Sequence, residues 1–78
     1  LLSKQQWKLM KAIASEGTVF HPTSKDFIAR YELGSPATVL RSLQALSDKE
    51  MVYAEYTREG QLFYSVYDVL FRRWIQAK

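Results

Sequence analysis

Two polar side chains near the middle of the chain have the types and the spacing needed to bond an outside partner. Arg41 and Gln44 stand three positions apart, a spacing that brings two side chains to one face of an α-helix. In the major groove of duplex DNA, a guanidinium can bond the edge of a guanine and a carboxamide can bond the edge of an adenine. The pair therefore indicates a surface that can contact base edges, provided that a helix forms here and exposes it.

The residues around this pair predict such a helix. Ser35 is a suitable N-cap, and Pro36 suits the first helical position. Apolar residues then recur at helical spacing and predict one buried stripe, which consists of Val39, Leu43 and Leu46. The sequence therefore predicts a helix over 36–48 with one side in the core. The opposite face carries Ala37, Arg41, Gln44 and Asp48.

Two helices are predicted before this one. A capping box at residues 3–6 begins the first helix, and Gly17 is a suitable C-terminal stop for it. Thr23, with Asp26 three residues later, predicts the start of the second helix. The break at residues 32–34 leaves only a short turn before the helix that carries the polar pair. Two helices joined by a short turn that contains glycine are typical of a helix-turn-helix.

After the third helix, the apolar period changes from helical to two, which predicts a β-hairpin between residues 51 and 67. A three-residue loop over 58–60, with Gly60 in the left-handed region, keeps the apolar partners on one face. These partners are Val52 with Val66, Ala54 with Tyr64, and Tyr56 with Leu62. A two-residue loop would set Glu55 opposite Tyr64 and mix the two faces, so we prefer the longer loop.

The last residues of the chain have the pattern of a closing helix. Asp68 can cap it. Its predicted apolar stripe consists of Leu70, Phe71, Trp74 and Ile75. We expect this helix to pack on the hairpin or on the first helix.

Residues that catalysis or metal binding would need are few. His21 is the single histidine and there is no cysteine, which excludes a disulfide and a metal site built from these ligands. The eight carboxylates are scattered, and no glycine-rich phosphate-binding loop occurs. We therefore expect no catalytic site, no metal and no cofactor in this segment. The lack of cysteine and of an apolar run of about 18 residues favours a cytoplasmic protein with no membrane partner.

The order of the predicted elements resembles the winged helix-turn-helix, an α+β fold that is mainly helical. Three stretches, 2–17, 22–46 and 64–74, more narrowly resemble the C-terminal winged-helix domain of the archaeal-type AAA+ ATPases, which also occur in bacteria. In that family a strand that ends in tyrosine and aspartate leads into a helix with a phenylalanine and a tryptophan. The matching residues are Tyr67, Asp68, Phe71 and Trp74, while Val69 stands where proline is usual.

This resemblance implies that residues 1–78 form a single winged-helix domain at the C-terminal end of a longer ATPase. ATP and Mg²⁺ are then expected in a preceding domain and not in this segment. A chain that starts at Leu1 rather than Met agrees with this expectation. The segment itself is then a non-catalytic module, and its partner is either double-stranded DNA or protein, including the upstream ATPase domain of the same chain.

If the domain binds duplex DNA, the third helix is expected to enter the major groove and the wing to contact the backbone or the minor groove. The formal net charge of +3 is a mild basic excess that agrees with an anionic partner. The candidate contacts are Ser35, Ala37, Thr38, Arg41 and Gln44 on the third helix, Lys25 and Arg30 on the second, and Arg58 at the wing tip.

The alternative is a surface that contacts protein and binds no nucleic acid. Arg41 is the single cation of the third helix, and Glu55 and Glu59 bring negative charge to the wing, where it would repel phosphate. An apolar contact patch formed by Leu40, Tyr53 and Phe63 is the corresponding candidate site. The sequence leaves both alternatives open.

Overall fold

A computed structural model describes residues 2–67 of the chain, and the predicted closing helix from Asp68 lies outside these residues. Three helices are followed by two strands, as the sequence predicts. The elements are α1 (Lys4–Glu16), α2 (Lys25–Tyr31), α3 (Pro36–Asp48), β1 (Val52–Tyr56) and β2 (Leu62–Val66). The two strands pair antiparallel.

Side-chain caps start the helices. The Ser3 hydroxyl accepts a hydrogen bond from the Gln6 amide, and the Gln6 side chain accepts one from the Ser3 amide, both at 3.1 Å. The predicted capping box of α1 is therefore confirmed, as is its end at Gly17. Ser35 caps α3, with Pro36 in the first turn. These local signals decide where the helices begin because each one satisfies an amide that has no partner within its helix.

The predicted start of α2 at Thr23 is wrong by one residue. Ser24 is the N-cap, and its hydroxyl accepts a hydrogen bond from the Phe27 amide at 3.2 Å. A backbone hydrogen bond from the Ser24 amide to the His21 carbonyl closes a turn, and Thr23 lies inside it. Thr23 and Ser24 are both of a type that caps helices, so the sequence alone does not decide between them. The turn decides in favour of Ser24, because it encloses Thr23.

The turn between α2 and α3 is anchored to α1. Leu33, in the middle of this turn, is completely buried. Its carbonyl accepts a hydrogen bond from the side-chain amide of Gln5 on α1. Gly34 follows with a φ of +92°, a conformation that L-residues rarely adopt. The turn thus has one apolar and one polar attachment to the rest of the fold, and together they set the position from which α3 starts.

The hairpin has the predicted register. Val52 pairs with Val66, Ala54 with Tyr64, and Tyr56 with Leu62. The loop is closed by hydrogen bonds from Thr57 N to Gln61 O at 2.8 Å and from Gly60 N to Thr57 O at 2.9 Å. Gly60 has a φ of +83°. The three-residue loop over 58–60 is therefore confirmed, and the two-residue alternative is excluded.

A backbone pairing that the sequence analysis missed joins the hairpin to the helices. Val19, in the connection between α1 and α2, exchanges two hydrogen bonds with Tyr64 of β2, at 2.9 and 2.8 Å. The Ser65 hydroxyl donates a further hydrogen bond to the Gly17 carbonyl at 2.8 Å. Segment 18–20, which contains a β-branched pair and a phenylalanine, carried a strand signal that was too short to recognise by period.

The core lies between the helices and the base of the hairpin. Its completely or almost completely buried side chains come from α1, the helix-turn-helix turn, α3 and both strands, and they include Leu9, Ile13, Leu33, Val39, Leu46, Val52 and Val66. The stripe of α3 that the sequence predicts to be buried is confirmed. Tyr64 of the second pair still packs against the core, whereas Tyr56 of the last pair is 70% exposed. The tip of the hairpin therefore projects as a wing.

Replacing Gly60 with alanine tests the loop geometry. Nothing lies within 4 Å of a Cβ added there, so the expected cost is backbone strain alone. We expect Gly60→Ala to lower the free energy of unfolding by about 1 kcal/mol, because a left-handed conformation is unfavourable for an L-residue. Urea denaturation measures this change. Gly60→Asn is the matched control, since asparagine tolerates this region, and it should lose less. Equal stability of all three proteins would contradict the loop assignment.

Candidate functional site

The outer face of α3 is the side opposite the buried stripe, and it is open to solvent. Ala37, Leu40, Arg41, Gln44 and Asp48 are all exposed. Positions 37, 40, 41, 44 and 48 follow each other at helical spacing, so they form one continuous strip. We call these five residues the α3 face. It contains three of the residues predicted as DNA contacts.

The N-terminal end of the α3 face is partly engaged by its own cap. The Ser35 hydroxyl accepts a hydrogen bond from the Thr38 amide at 3.2 Å, and it lies 3.0 Å from the Thr38 hydroxyl. Ser35 is exposed and Thr38 is half-buried. These two candidate phosphate contacts therefore bond each other in the free protein, and a phosphate would have to share them.

A leucine lies along one edge of the α3 face. Leu40 is 55% exposed, although its neighbour Val39 is almost completely buried. The exposure of Leu40 follows from the helical repeat, because Val39, Leu43 and Leu46 occupy the buried side of the helix and Leu40 lies about 100° around the axis from Val39. A single exposed leucine is ordinary on a protein surface. Here it lies between Ala37 and Gln44, where a duplex-binding helix would be expected to place a polar side chain.

The polar end of the α3 face is occupied by an internal hydrogen bond. The Gln44 side-chain amide donates to the Asp48 carboxylate at 3.0 Å. A base edge would have to compete for this amide, and the carboxylate beside it would repel the nearby phosphates. Gln44 is therefore less available for base contact than the sequence suggests.

Two candidate cations are unengaged. Arg41 on α3 and Arg58 at the wing tip are both exposed. Neither guanidinium has an ion-pair partner among residues 2–67. The two residues lie on different elements. The register of the hairpin places Arg58 in the loop at its tip.

The summed charge of α3 and the wing is close to zero. Residues 36–61 contain three cations and four carboxylates, which makes the net charge −1. The cations are Arg41, Lys49 and Arg58, and the carboxylates are Asp48, Glu50, Glu55 and Glu59. Lys49 also reaches the Gln6 side chain, with its ammonium 3.4 Å from Oε1. The formal charges of these residues therefore supply no net positive charge to attract a nucleic-acid backbone.

The two candidate cations of α2 differ in their surroundings. Lys25 is exposed in the first turn of the helix. Arg30 instead forms an ion pair with Glu16 of α1, with 2.9 Å between Nη1 and Oε2, and the Tyr31 hydroxyl donates to the same carboxylate oxygen. Arg30 therefore ties α2 to the end of α1, and a phosphate would have to compete with Glu16 for it.

The acidity of Glu16 reflects this arrangement. The hydrogen bond from Tyr31 and the ion pair with Arg30 lower the pKa of the Glu16 carboxyl below its ordinary value of 4.5, against a smaller opposing effect of burial. Burial and the neighbouring carboxylate raise the pKa of the Tyr31 hydroxyl. Both pKa shifts favour the charged carboxylate of Glu16 and the neutral phenol of Tyr31. In this state the hydrogen bond between the two side chains joins α1 to α2.

The two aromatic residues of the proposed apolar patch contact other rings. The Phe63 ring lies 6.0 Å from that of Phe20, and the Tyr53 ring lies 5.1 Å from that of Tyr67, as measured between centroids. Tyr53 and Phe63 alternate along their strands with the buried Val52 and Val66, so they belong to the opposite face of the hairpin. Phe20 was missed by the sequence analysis because its segment was interpreted as a connection.

The described residues contain no group of three or more histidine, aspartate or glutamate side chains that could hold a metal ion. Within the same part of the chain, none of the helices has both the length and the apolar character needed to cross a membrane. His21 is exposed beside the start of α2.

Three helices, of which the second and third form a helix-turn-helix, followed by a projecting hairpin define the winged-helix class. Over residues 1–77 the chain matches the family model described as a probable winged helix domain, and it belongs to that family. The match confirms the α+β winged-helix fold and does not extend to an ATPase. Neither a curated protein nor a solved structure matches the chain.

The Glu16 cluster predicts a pH dependence of stability. Because the pKa of Glu16 is lowered in the folded state, its contribution is fully present above its unfolded value of 4.5 and is lost as the pH falls through the lower folded value. We expect Glu16→Gln to be less stable than the parent at pH 7, and the difference to disappear in acid, below pH 4.5. Thermal unfolding from pH 7 to pH 2 measures it. Glu59→Gln, on the exposed wing tip, is the control and should show no such dependence. A constant difference for Glu16→Gln at all pH values would contradict the prediction.

Proposed function

We propose that the protein is a non-catalytic winged-helix module that contacts another protein through the α3 face. One observation carries this proposal: the face includes Leu40, which is 55% exposed and lies along one edge beside the small Ala37. The centre of a protein interface is more apolar than the rest of a protein surface and is depleted of charged residues, so an exposed leucine suits it. Arg41 beside it is of the type that is enriched there.

Electrostatics also favour a protein partner. Neutralisation of phosphates supplies most of the non-specific affinity for duplex DNA. The net charge of −1 over residues 36–61 provides no such attraction. The carboxylate of Asp48 lies on the α3 face itself, where an inserted helix would bring it close to the DNA backbone. A protein surface of mixed charge imposes no such cost.

Duplex DNA is the second candidate, and a specific observation favours it. Arg41 and Arg58 have no ion-pair partner among residues 2–67, and they occupy the two elements with which winged-helix domains bind DNA. Ser35 and the first amides of α3 can add a phosphate contact. Two free cations predict weak binding that depends on salt.

The parent protein belongs to the proposal as well. The resemblance of residues 64–74 to archaeal-type AAA+ ATPases suggests an upstream ATPase domain that holds ATP and Mg²⁺ in the cytoplasm. In such a protein the upstream domain is a natural occupant of the α3 face. A phosphate-binding loop in the preceding sequence of the natural gene would support this part of the proposal.

Fluorescence anisotropy of a labelled 20-base-pair duplex tests the DNA alternative. We expect a dissociation constant weaker than about 100 µM at 150 mM salt, and about a tenfold change between 50 and 200 mM salt, because only two cations meet phosphates. Arg41→Ala should lower the salt slope by about one, and Arg41→Lys, which keeps the charge, should leave it unchanged. Submicromolar binding that is lost in Arg41→Ala would overturn the preference for a protein partner.

Photo-crosslinking from position 40 tests the protein contact directly. With benzoylphenylalanine in place of Leu40 in the natural protein, expressed in its own cells, we expect a covalent protein adduct that nuclease does not alter. A separate partner gives an adduct of discrete added mass, and an upstream domain of the same chain gives a joined peptide pair after proteolytic digestion. Position 15, where Ser15 is exposed on α1, is the matched control and should not give this adduct. An adduct from position 40 that nuclease shortens would assign the face to nucleic acid instead.

A further inference from the structure

A groove runs between α2 and the start of α3, on the side of α2 that faces away from the core. Its volume is about 720 Å³. The residues that line it include Lys25, Ile28, Ala29 and Glu32 of α2 with its C-cap, and Gly34 and Pro36 beyond. Ile28 is half-buried against the core, while Ala29 is exposed. The middle of the groove is therefore apolar, and a charged residue stands at each end of its α2 wall.

The α2 wall has a specific order of charge. Positions 25, 28 and 29 follow each other at helical spacing, and Glu32, the left-handed C-cap that ends α2, lines the groove beyond them. We call these four residues the α2 stripe. The stripe begins with the ammonium of Lys25 and ends with the carboxylate of Glu32. Both side chains are exposed, and neither has an ion-pair partner among residues 2–67. Within the described part of the chain, these two opposite charges therefore have no ion-pair partner, and they stand on either side of an apolar centre.

We propose that this stripe docks against the same stripe of a second copy of the chain, with the two α2 helices antiparallel. In such a pair Lys25 meets Glu32 of the partner subunit, and Glu32 meets Lys25 of the partner subunit. A two-fold axis produces both contacts at once, because it places the same surface patch of the two copies face to face with the helices running in opposite directions. Parallel helices would instead place like charges opposite each other.

The apolar centre fits the same arrangement. The midpoint of the stripe falls between Ile28 and Ala29, so the two-fold axis passes there and the apolar residues of both copies meet across it. Ala29 and Gly34 have small or no side chains, which lets the two backbones approach to the usual 8–10 Å between helix axes. The antiparallel helix dipoles also attract each other.

This surface is separate from the α3 face, and the two proposals are independent. Leu40 and the other α3-face residues do not line the groove, although Pro36 at the start of the same helix does. A dimer formed through the α2 stripe can therefore still offer two α3 faces to partners. The wall belongs to a helix of seven residues, so the contact area is small. Small interfaces are weak, and we expect a dissociation constant of about 100 µM.

Sedimentation velocity of the 78-residue chain at 20 µM to 1 mM and 50 mM salt tests this dimer. We expect the average mass to rise toward that of a dimer over this range, and the association to weaken at least fivefold at 500 mM salt. Lys25→Glu and Glu32→Lys should each weaken dimerisation more than tenfold, because each variant opposes two like charges. The double variant Lys25→Glu/Glu32→Lys should dimerise within threefold of the parent.

Two controls make the outcome decisive. An equimolar mixture of the two single variants should form a heterodimer, since each charge then meets its opposite, and this shows that both variants are folded. Glu59→Lys, a charge reversal on the wing, should leave the dimer unchanged.

A chain that is monomeric at 1 mM in low salt overturns the proposal, as does a double variant that dimerises as weakly as the single variants. A monomer that still gives the protein adduct from position 40 would remove the dimer and leave the proposed function standing.

Discussion

Burial of one stripe of α3 is the constraint on which the rest of the molecule depends. Val39, Leu43 and Leu46 pack against α1 and the base of the hairpin, and removing the side chain of a buried leucine of this kind costs about 2–5 kcal/mol. A helix with 3.6 residues per turn can present only one face to a core. Once this stripe is inside, Leu40 and Arg41 must point outward. The exposure of the candidate site is therefore a direct consequence of the way in which α3 packs against the core.

The position of that helix depends on a second set of contacts. Enclosure of Leu33 and the hydrogen bond from Gln5 to its carbonyl hold the turn that precedes α3. On the other side, the pairing of Val19 with Tyr64 attaches the hairpin to the connection after α1. Each attachment joins residues that are at least 28 positions apart in the chain. The α3 face and the wing are thus held in one arrangement by contacts at their bases, while their outer surfaces remain free.

The outer surfaces differ in what they can bind. The α3 face has an exposed leucine and a net charge near zero around it. The outer sheet face has two aromatic pairs, and the α2 stripe has one charge of each sign. The basic excess of the whole chain does not lie on the elements that winged-helix domains use for DNA. Residues 36–61 are slightly negative although the chain as a whole carries +3. The net charge of the whole chain therefore does not describe the charge of these elements.

The sequence by itself determined the elements that depend on neighbours along the chain. Capping at Ser3 and Ser35, the end of α1 at Gly17, the buried stripe of α3 and the register set by the Gly60 loop are local effects, so the residues that cause them are close in sequence. Only the tertiary structure decided the pairing of Val19 with Tyr64, the ion pair of Arg30 with Glu16 and the contact of Phe20 with Phe63. These interactions join residues from 14 to 45 positions apart. Periodicity and capping depend on residues within a few adjacent turns, whereas these contacts depend on how the helices and strands pack. For this reason the sequence could not predict which candidate residues are free to contact a partner and which are engaged within the fold.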